Sequence, residues 1–362
     1  MRLLKQLYDK IPNPEKQHAC VSLPVSLLAA PVNDPMVRSF PMPTLLLIFA
    51  CALWGLSFPL VKALHLEQTA RLPGVSSLFL ASWLQVARFA LGALILMPFV
   101  MGRKAPTSRE IRQALVLAFW CGGGMLLQAD ALAYTEASTS AFLTQAYCVF
   151  LPLWACLRRR HWPGSRVTVA TLLIVVGGAI LSGLRPDNLK FGRGEIETIG
   201  AAFLFTFQIL SLENPRHEGN RGGMVTLIMF IGIALLLLPF TLLSAPNLAA
   251  CLSAGASLPA FGIVSLLALL CSAVSYLLMN IWQPRVSATE AGLIYTTEPV
   301  FTAVFVLFLP AVLGGFIHQS YPNESLSTQM IIGGSLILAA NLLMQWKRPP
   351  HLPAAGPSNG PN

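Results

Sequence analysis

Two ionisable residues inside otherwise apolar stretches carry most of the chemical potential of this chain. Glu298 stands at the middle of Ala288 to Leu309, ATEAGLIYTTEPVFTAVFVLFL, with Pro299 directly after it. A carboxylate at the centre of a bilayer costs on the order of 2.5–3.5 kcal/mol, so it is kept where something pairs with it or uses it. There it can hold a solute or carry a proton. Arg88 lies inside a second apolar stretch, roughly 15 Å from that stretch's start at 1.5 Å per residue, a depth close to that of Glu298. Two uses of Arg88 compete: a structural pair with Glu298, or a clamp for an anionic group of a solute. The residues do not separate these two.

Helical spacing puts further polar groups beside them. Ala291, Tyr295, Glu298, Thr302 and Phe305 recur at three- and four-residue intervals and share one helix face. Lipid offers such a stripe no hydrogen-bond partner, so it suits a cavity. Gln85 and Gly92 share the face of Arg88. Thr144, Gln145 and Tyr147 add polar groups to another apolar run, and Trp54 and Ser57 share a face suited to stacking and hydrogen bonding with a solute. Proline removes an N–H and clashes with the carbonyl four residues earlier, so Pro59, Pro152 and Pro299 are read as hinge points. Asp130 is read as reaching water at the outer end of its helix, with a gate as the alternative, and Gln128 points nearly the opposite way, about 200° round the helix.

The elements that must position these groups are long apolar runs. Of the 362 residues, 55% are hydrophobic and 11% charged, with a mean hydropathy of +0.65. Globular proteins carry about 25% charged residues, so a soluble fold is unfavourable. The net charge of +9 sits in short gaps between apolar runs and forms no continuous patch, which argues against nucleic acid. Seven cysteines form no C-x-x-C pair and mostly fall in apolar runs, as small buried hydrophobes do. No enzyme signature is present, and neither a metal nor another cofactor is implied.

Ten apolar segments can be marked from Thr44 onward, at about 44–64, 78–101, 113–134, 137–157, 167–184, 196–212, 224–244, 258–282, 288–309 and 329–346, most near the ~20 residues needed to span. With both termini cytoplasmic, 18 Lys and Arg fall on the inner side, 5 on the outer side, and Arg88 inside a segment. That bias sets the orientation by the positive-inside rule. Residues 1–42 read as a cytoplasmic tail without regular structure, or as residues ahead of a start at Met36 or Met42. The run Ala19 to Val32 has the look of a signal-peptide core but is interrupted by Pro24 and Pro31. Trp83, Trp162 and Trp346 read as interfacial anchors.

A shift of 151 residues places Ala137-Ser138 on Ala288-Thr289 and Val149-Phe150 on Val300-Phe301, and a shift of 156 places Gly177-Gly178 on Gly333-Gly334. Five helices per half is an odd number, so the second copy enters the membrane inverted. Inverted repeats are the recurrent architecture of secondary transporters, with the site at the repeat interface. The expected fold is all-α: ten transmembrane helices as two inverted five-helix repeats, 43–187 and 188–346, with tails 1–42 and 347–362.

Trp54-Gly-Leu-Ser-Phe, Arg88-Phe89, the run from Ala133-Tyr134 through Ser138 to Thr144, and Ala291 through Tyr295 and Glu298-Pro299 to Phe301 together resemble an EamA-type member of the drug/metabolite transporter superfamily. The resemblance covers roughly residues 43–346. It implies a carrier of a small organic metabolite or drug, often an exporter, in the cytoplasmic membrane, with Glu298, Pro299 and Arg88 at family-typical positions. Its partners would be a small organic solute, membrane lipid and, as a candidate coupling ion, protons; the chain would be a monomer or homodimer. The alternatives are uptake or exchange of an anionic solute such as a nucleotide-linked metabolite, or a non-transporting sensor or assembly subunit. Three departures stand out: Cys148 where a proline is usual, which leaves Pro152 to move the kink; Arg158-Arg159-Arg160-His161 where an acid is common; and an insertion between Gly314 and Glu324, read as a loop expansion rather than a cap on the outer vestibule.

Overall fold

The computed structural model describes residues 42–100, 104–160, 162, 164–181, 192–286 and 288–345. The expectations for residues 1–41, Trp346 and the C-terminal tail lie outside these. Every regular element among the described residues is a helix. They are α1 (Met42–Arg71), α2 (Ser77–Val100), α3 (Ser108–Ala131), α4 (Ala137–Thr144), α5 (Tyr147–Arg159), α6 (Ser165–Leu181), α7 (Arg193–Leu212), α8 (Gly222–Ser244), α9 (Leu248–Ser253), α10 (Leu258–Ala268), α11 (Ser275–Trp282), α12 (Ala288–Tyr295), α13 (Glu298–Val306), α14 (Leu309–Ile317) and α15 (Thr328–Gln345). A π-helical turn, Leu269–Val274, joins α10 to α11.

Among the described residues, seven helical stretches are long and apolar enough to cross a membrane: α1, α2, α3, α4 with α5, α7, α8, and α10 through α11. They coincide with seven of the segments marked in the sequence. The segments at 167–184 and 329–346 appear as the shorter apolar helices α6 and α15. The remaining one, 288–309, departs most from expectation. It is no single helix: it breaks at Thr296-Thr297, and α13 turns into α14 through 60°.

Local sequence explains several of the ends. Thr107-Ser-Arg-Glu110 opens α3 as a capping box, with the Thr107 side chain accepting from the Glu110 N–H and the Glu110 carboxylate accepting from the Thr107 N–H. Glu110 also accepts from Nε of Arg221 at 2.7 Å, which fixes the start of α8 to the start of α3. Asn247 and Ser257 cap α9 and α10 through their side-chain oxygens.

α1 runs through the middle of the bundle, against α10, α11, α12, α13 and α14, while α2 packs on α8, α3 on α7 and α8, and α6 on α15. Two glycines permit the closest approaches. A Cβ on Gly55 would stand 3.0 Å from the carbonyl oxygen of Glu298, so α1 and α13 meet backbone to backbone there. A Cβ on Gly177 would stand 2.7 Å from the carbonyl oxygen of Gly333, which seats α6 on α15. Cys51, Cys121, Cys148 and Cys271 are free and buried, as their apolar surroundings suggest.

Three local expectations need correction. Asp130 is only 2% exposed and pairs with Arg193, so it does not reach into water: the half-exposed arginine covers it. The insertion after Gly314 is not a loose expansion. Tyr321 is buried, the Glu324 N–H donates to the Val306 carbonyl at 2.9 Å, and the Glu324 carboxylate accepts from Ser138 and from the Ala137 N–H at the start of α4. An anion at that end also suits the positive end of the helix dipole. Trp83 anchors protein rather than lipid, its Nε1 donating to the Cys251 carbonyl at 2.8 Å, whereas Trp162 is 95% exposed.

Candidate functional site

Trp54, Ser57, Arg88, Thr144, Tyr147, Tyr295 and Glu298, all singled out in the sequence, converge on one cavity. It encloses about 520 Å³ of space between atoms, mouth included. Two broken helices bring their breaks to it. In the first, α4 ends at Thr144, Gln145 and Ala146 form a turn, and α5 restarts at Tyr147. In the second, α12 ends at Tyr295, Thr296 and Thr297 form a turn, and α13 restarts at Glu298. Thr144, Tyr147, Tyr295 and Glu298 all line the cavity.

α1 supplies one wall. Its Trp54 ring stands 5.5 Å from Tyr276 of α11 and 5.6 Å from Tyr295, both in tilted or edge contacts that favour aromatic pairs. Trp54 Nε1 is buried with no hydrogen-bond partner. Ser57 also lines the cavity, its hydroxyl turned back to the Trp54 carbonyl at 2.7 Å. The Tyr295 hydroxyl donates to Gln283 at 2.6 Å, the Tyr147 hydroxyl donates to Gln145 at 3.1 Å, and Gln128 donates to Thr144 at 3.0 Å.

Arg88 reaches the cavity from α2, wholly buried. Its Nε donates to the Ser272 hydroxyl oxygen at 2.5 Å and its Nη2 to the Cys271 carbonyl at 2.7 Å, while Nη1 has no partner. No ion pair joins Arg88 to Glu298, and among the described residues nothing hydrogen-bonds to the Glu298 carboxylate. One buried cation and one buried carboxylate thus face a common space without neutralising each other. That arrangement is costly unless a further group enters.

Of the polar residues singled out beside Glu298 and Arg88, Thr302, Gln85 and Gln145 do not line the cavity. Thr302 is in the α1–α13 contact, its hydroxyl within 3.3 Å of the Gly55 carbonyl and 3.2 Å of the Glu298 carbonyl. Gln85 donates to the Met125 carbonyl at 3.1 Å and does not line the cavity. Of the prolines, Pro59 sits within the unbroken α1, Pro152 within α5, and Pro299 directly after the second break. The break before α5 therefore does not follow Pro152. Gln208 of α7, Tyr276, Met125 and Met279 also line the cavity and were not singled out. Gln208 was findable, as an amide deep in an apolar run; the methionines carry no such signal.

With every regular element among the described residues a helix, and seven of these stretches of spanning length and apolarity, this is a multi-pass membrane protein. Residues 42–183 match the EamA-like transporter family, which bears out the resemblance drawn from the sequence motifs over that part of the chain. A solved crystal structure, named without a function, matches with a TM-score of 0.53 at 16% identity, over 83% of this chain and 94% of that one; at such identity the likeness concerns the fold. No curated protein matches the chain.

Proposed function

We propose that this protein is a secondary carrier of ten transmembrane segments in two inverted five-helix repeats, moving a small organic solute by alternating access. The observation that carries the reading is the cavity where the two broken helices meet, holding Arg88 from one half and Glu298 from the other, with Arg88 bonded to Ser272 and Cys271 and not to Glu298. The repeat reading draws support from the breaks themselves, since Ala137–Thr144 and Ala288–Tyr295 share their bounds at the same 151-residue shift, as do the starts at Tyr147 and Glu298. To reach ten segments, α6 and α15 each cross, and the broken stretch from α12 to α14 crosses once. The basic residues favour both termini in the cytoplasm, and the family resemblance favours export across the cytoplasmic membrane.

In this reading Glu298 binds solute or a coupling proton, Arg88 supplies the opposite charge, Trp54, Ser57, Thr144, Tyr147 and Tyr295 shape the cavity, and Thr302 and Gln85 hold its walls. The test begins with growth protection of an overexpressing strain against amino acids, nucleosides and toxic amphiphiles. The protecting solute is then followed in proteoliposomes, where solute-dependent protection of a cysteine at Tyr295 is expected. A cysteine labelled at the same rate with and without solute would favour a sensor or assembly subunit. Full pH-gradient dependence in Glu298→Gln would remove the proton role, and a reporter fused after Arg348 that is active on the outer side would remove the orientation.

A further inference from the structure

We infer that the solute presents one anionic group to Nη1 of Arg88, and that Ser272, on the π-helical turn of the segment from α10 to α11, is the positioning residue that aims this clamp. The inference rests on the cavity reading given above and adds to it a solute chemistry and a residue outside the cavity lining.

The geometry is asymmetric in an informative way. A guanidinium has five N–H groups in a rigid fork. Two of them are occupied on one side, Nε by the Ser272 hydroxyl and Nη2 by the Cys271 carbonyl. Both partners come from Leu269–Val274, the single π-helical stretch among the described residues. There the Ser275 N–H bonds to the Leu270 carbonyl, one residue wider than an α-helix, and such turns occur mostly at functional sites. If Arg88 only tied α2 to this segment, the rest of its N–H groups would find carbonyls. Instead Nη1 is buried and unpartnered, on a residue that is 0% exposed and lines the cavity. A buried donor without an acceptor is costly to leave unmade, so the arrangement is poised for a ligand acceptor.

The number of anionic groups follows from what surrounds it. Among the described residues, Arg88 is the one basic residue in the cavity lining, and Glu298 shares the same space. A doubly charged phosphate or a nucleotide diphosphate would meet one cation and one carboxylate, which disfavours it. A solute with a single carboxylate or similar monoanionic group fits, and the rings of Trp54, Tyr147, Tyr276 and Tyr295 accommodate an attached aromatic or apolar body.

Phenylacetate and phenylacetamide differ in charge at one end and form a matched probe pair. Saturation-transfer NMR on the full chain in nanodiscs should show phenylacetate bound about tenfold tighter than phenylacetamide, the size of one charge-assisted hydrogen bond. Ser272→Val should reduce that preference to under about twofold, and Ser272→Thr, which keeps the hydroxyl, should restore it. A preference retained in Ser272→Val overturns the role of Ser272. Equal binding of both probes by the wild-type protein overturns the clamp and leaves the cavity reading standing. Absence of contact with either probe, at concentrations where weak ligands are detected, overturns the cavity reading and the clamp with it.

Discussion

The two broken helices are built alike and equipped differently. Each has an eight-residue first part, a two-residue turn and a second part that begins on the cavity. At the restart, the first offers Tyr147 followed by Cys148, and the second offers Glu298 followed by Pro299. Since the first breaks at the matched position with a cysteine in place of the proline, Pro299 is not required for a break of this form. What separates the two regions is the group presented to the cavity: a phenol satisfied by Gln145 in one, an unpaired carboxylate in the other. Shape is shared between the two broken helices, whereas charge is not.

The largest effect should come from exchanging that charge. Glu298→Gln should lower solute transport in proteoliposomes by tenfold or more, the scale of a lost charge-assisted contact, while Tyr147→Phe should change it by less than about threefold. Similar losses in both would erase the functional asymmetry. Next is the support behind Glu298. Gly55→Val places a side chain against the Glu298 carbonyl, Phe301 Cβ and the Thr302 N–H, and should cost about 1–3 kcal/mol in a detergent melt, as overpacking does. Gly315→Ala, with no atom within 4 Å of the added carbon, serves as the neutral comparison.

A smaller effect is expected at the start of the first broken helix. Glu324→Ala removes an acceptor for the Ala137 N–H and the Ser138 hydroxyl, and should destabilise by about 0.5–2 kcal/mol, the range for losing a helix cap. Glu324→Gln, which keeps one carbonyl acceptor, should lose less. The smallest change belongs to Pro299→Ala: the break at Thr296-Thr297 should persist, as spin labels flanking it would report by an unaltered distance. Straightening there would return the proline to the role of breaker.

The sequence made the membrane class, most helical segments and the convergence of Arg88, Trp54, Tyr147 and Glu298 legible, because intramembrane polar residues are rare and their helical phase is readable. It misplaced what depends on tertiary partners. Asp130 looked solvated because nothing local marks Arg193 as its cover. The turn at Gln145-Ala146 was hidden because neither residue is a breaker; proline drew attention to Pro152 instead. The 60° bend after Val306 lies within a run that stays apolar throughout, where hydropathy has no contrast to register. Whether Arg88 pairs with Glu298 was likewise undecidable from spacing, since Ser272, the residue that takes its Nε, is far away in the chain and looks like any small polar residue in an apolar helix.

Trp54 has an optical consequence. Its indole stands between two tyrosines with Nε1 unsatisfied, inside the space where solute and water would exchange. Indole emission shifts to the red when a polar group meets that N–H. The difference between the wild-type spectrum and that of Trp54→Phe therefore isolates a native gauge of cavity occupancy, one that needs no attached dye.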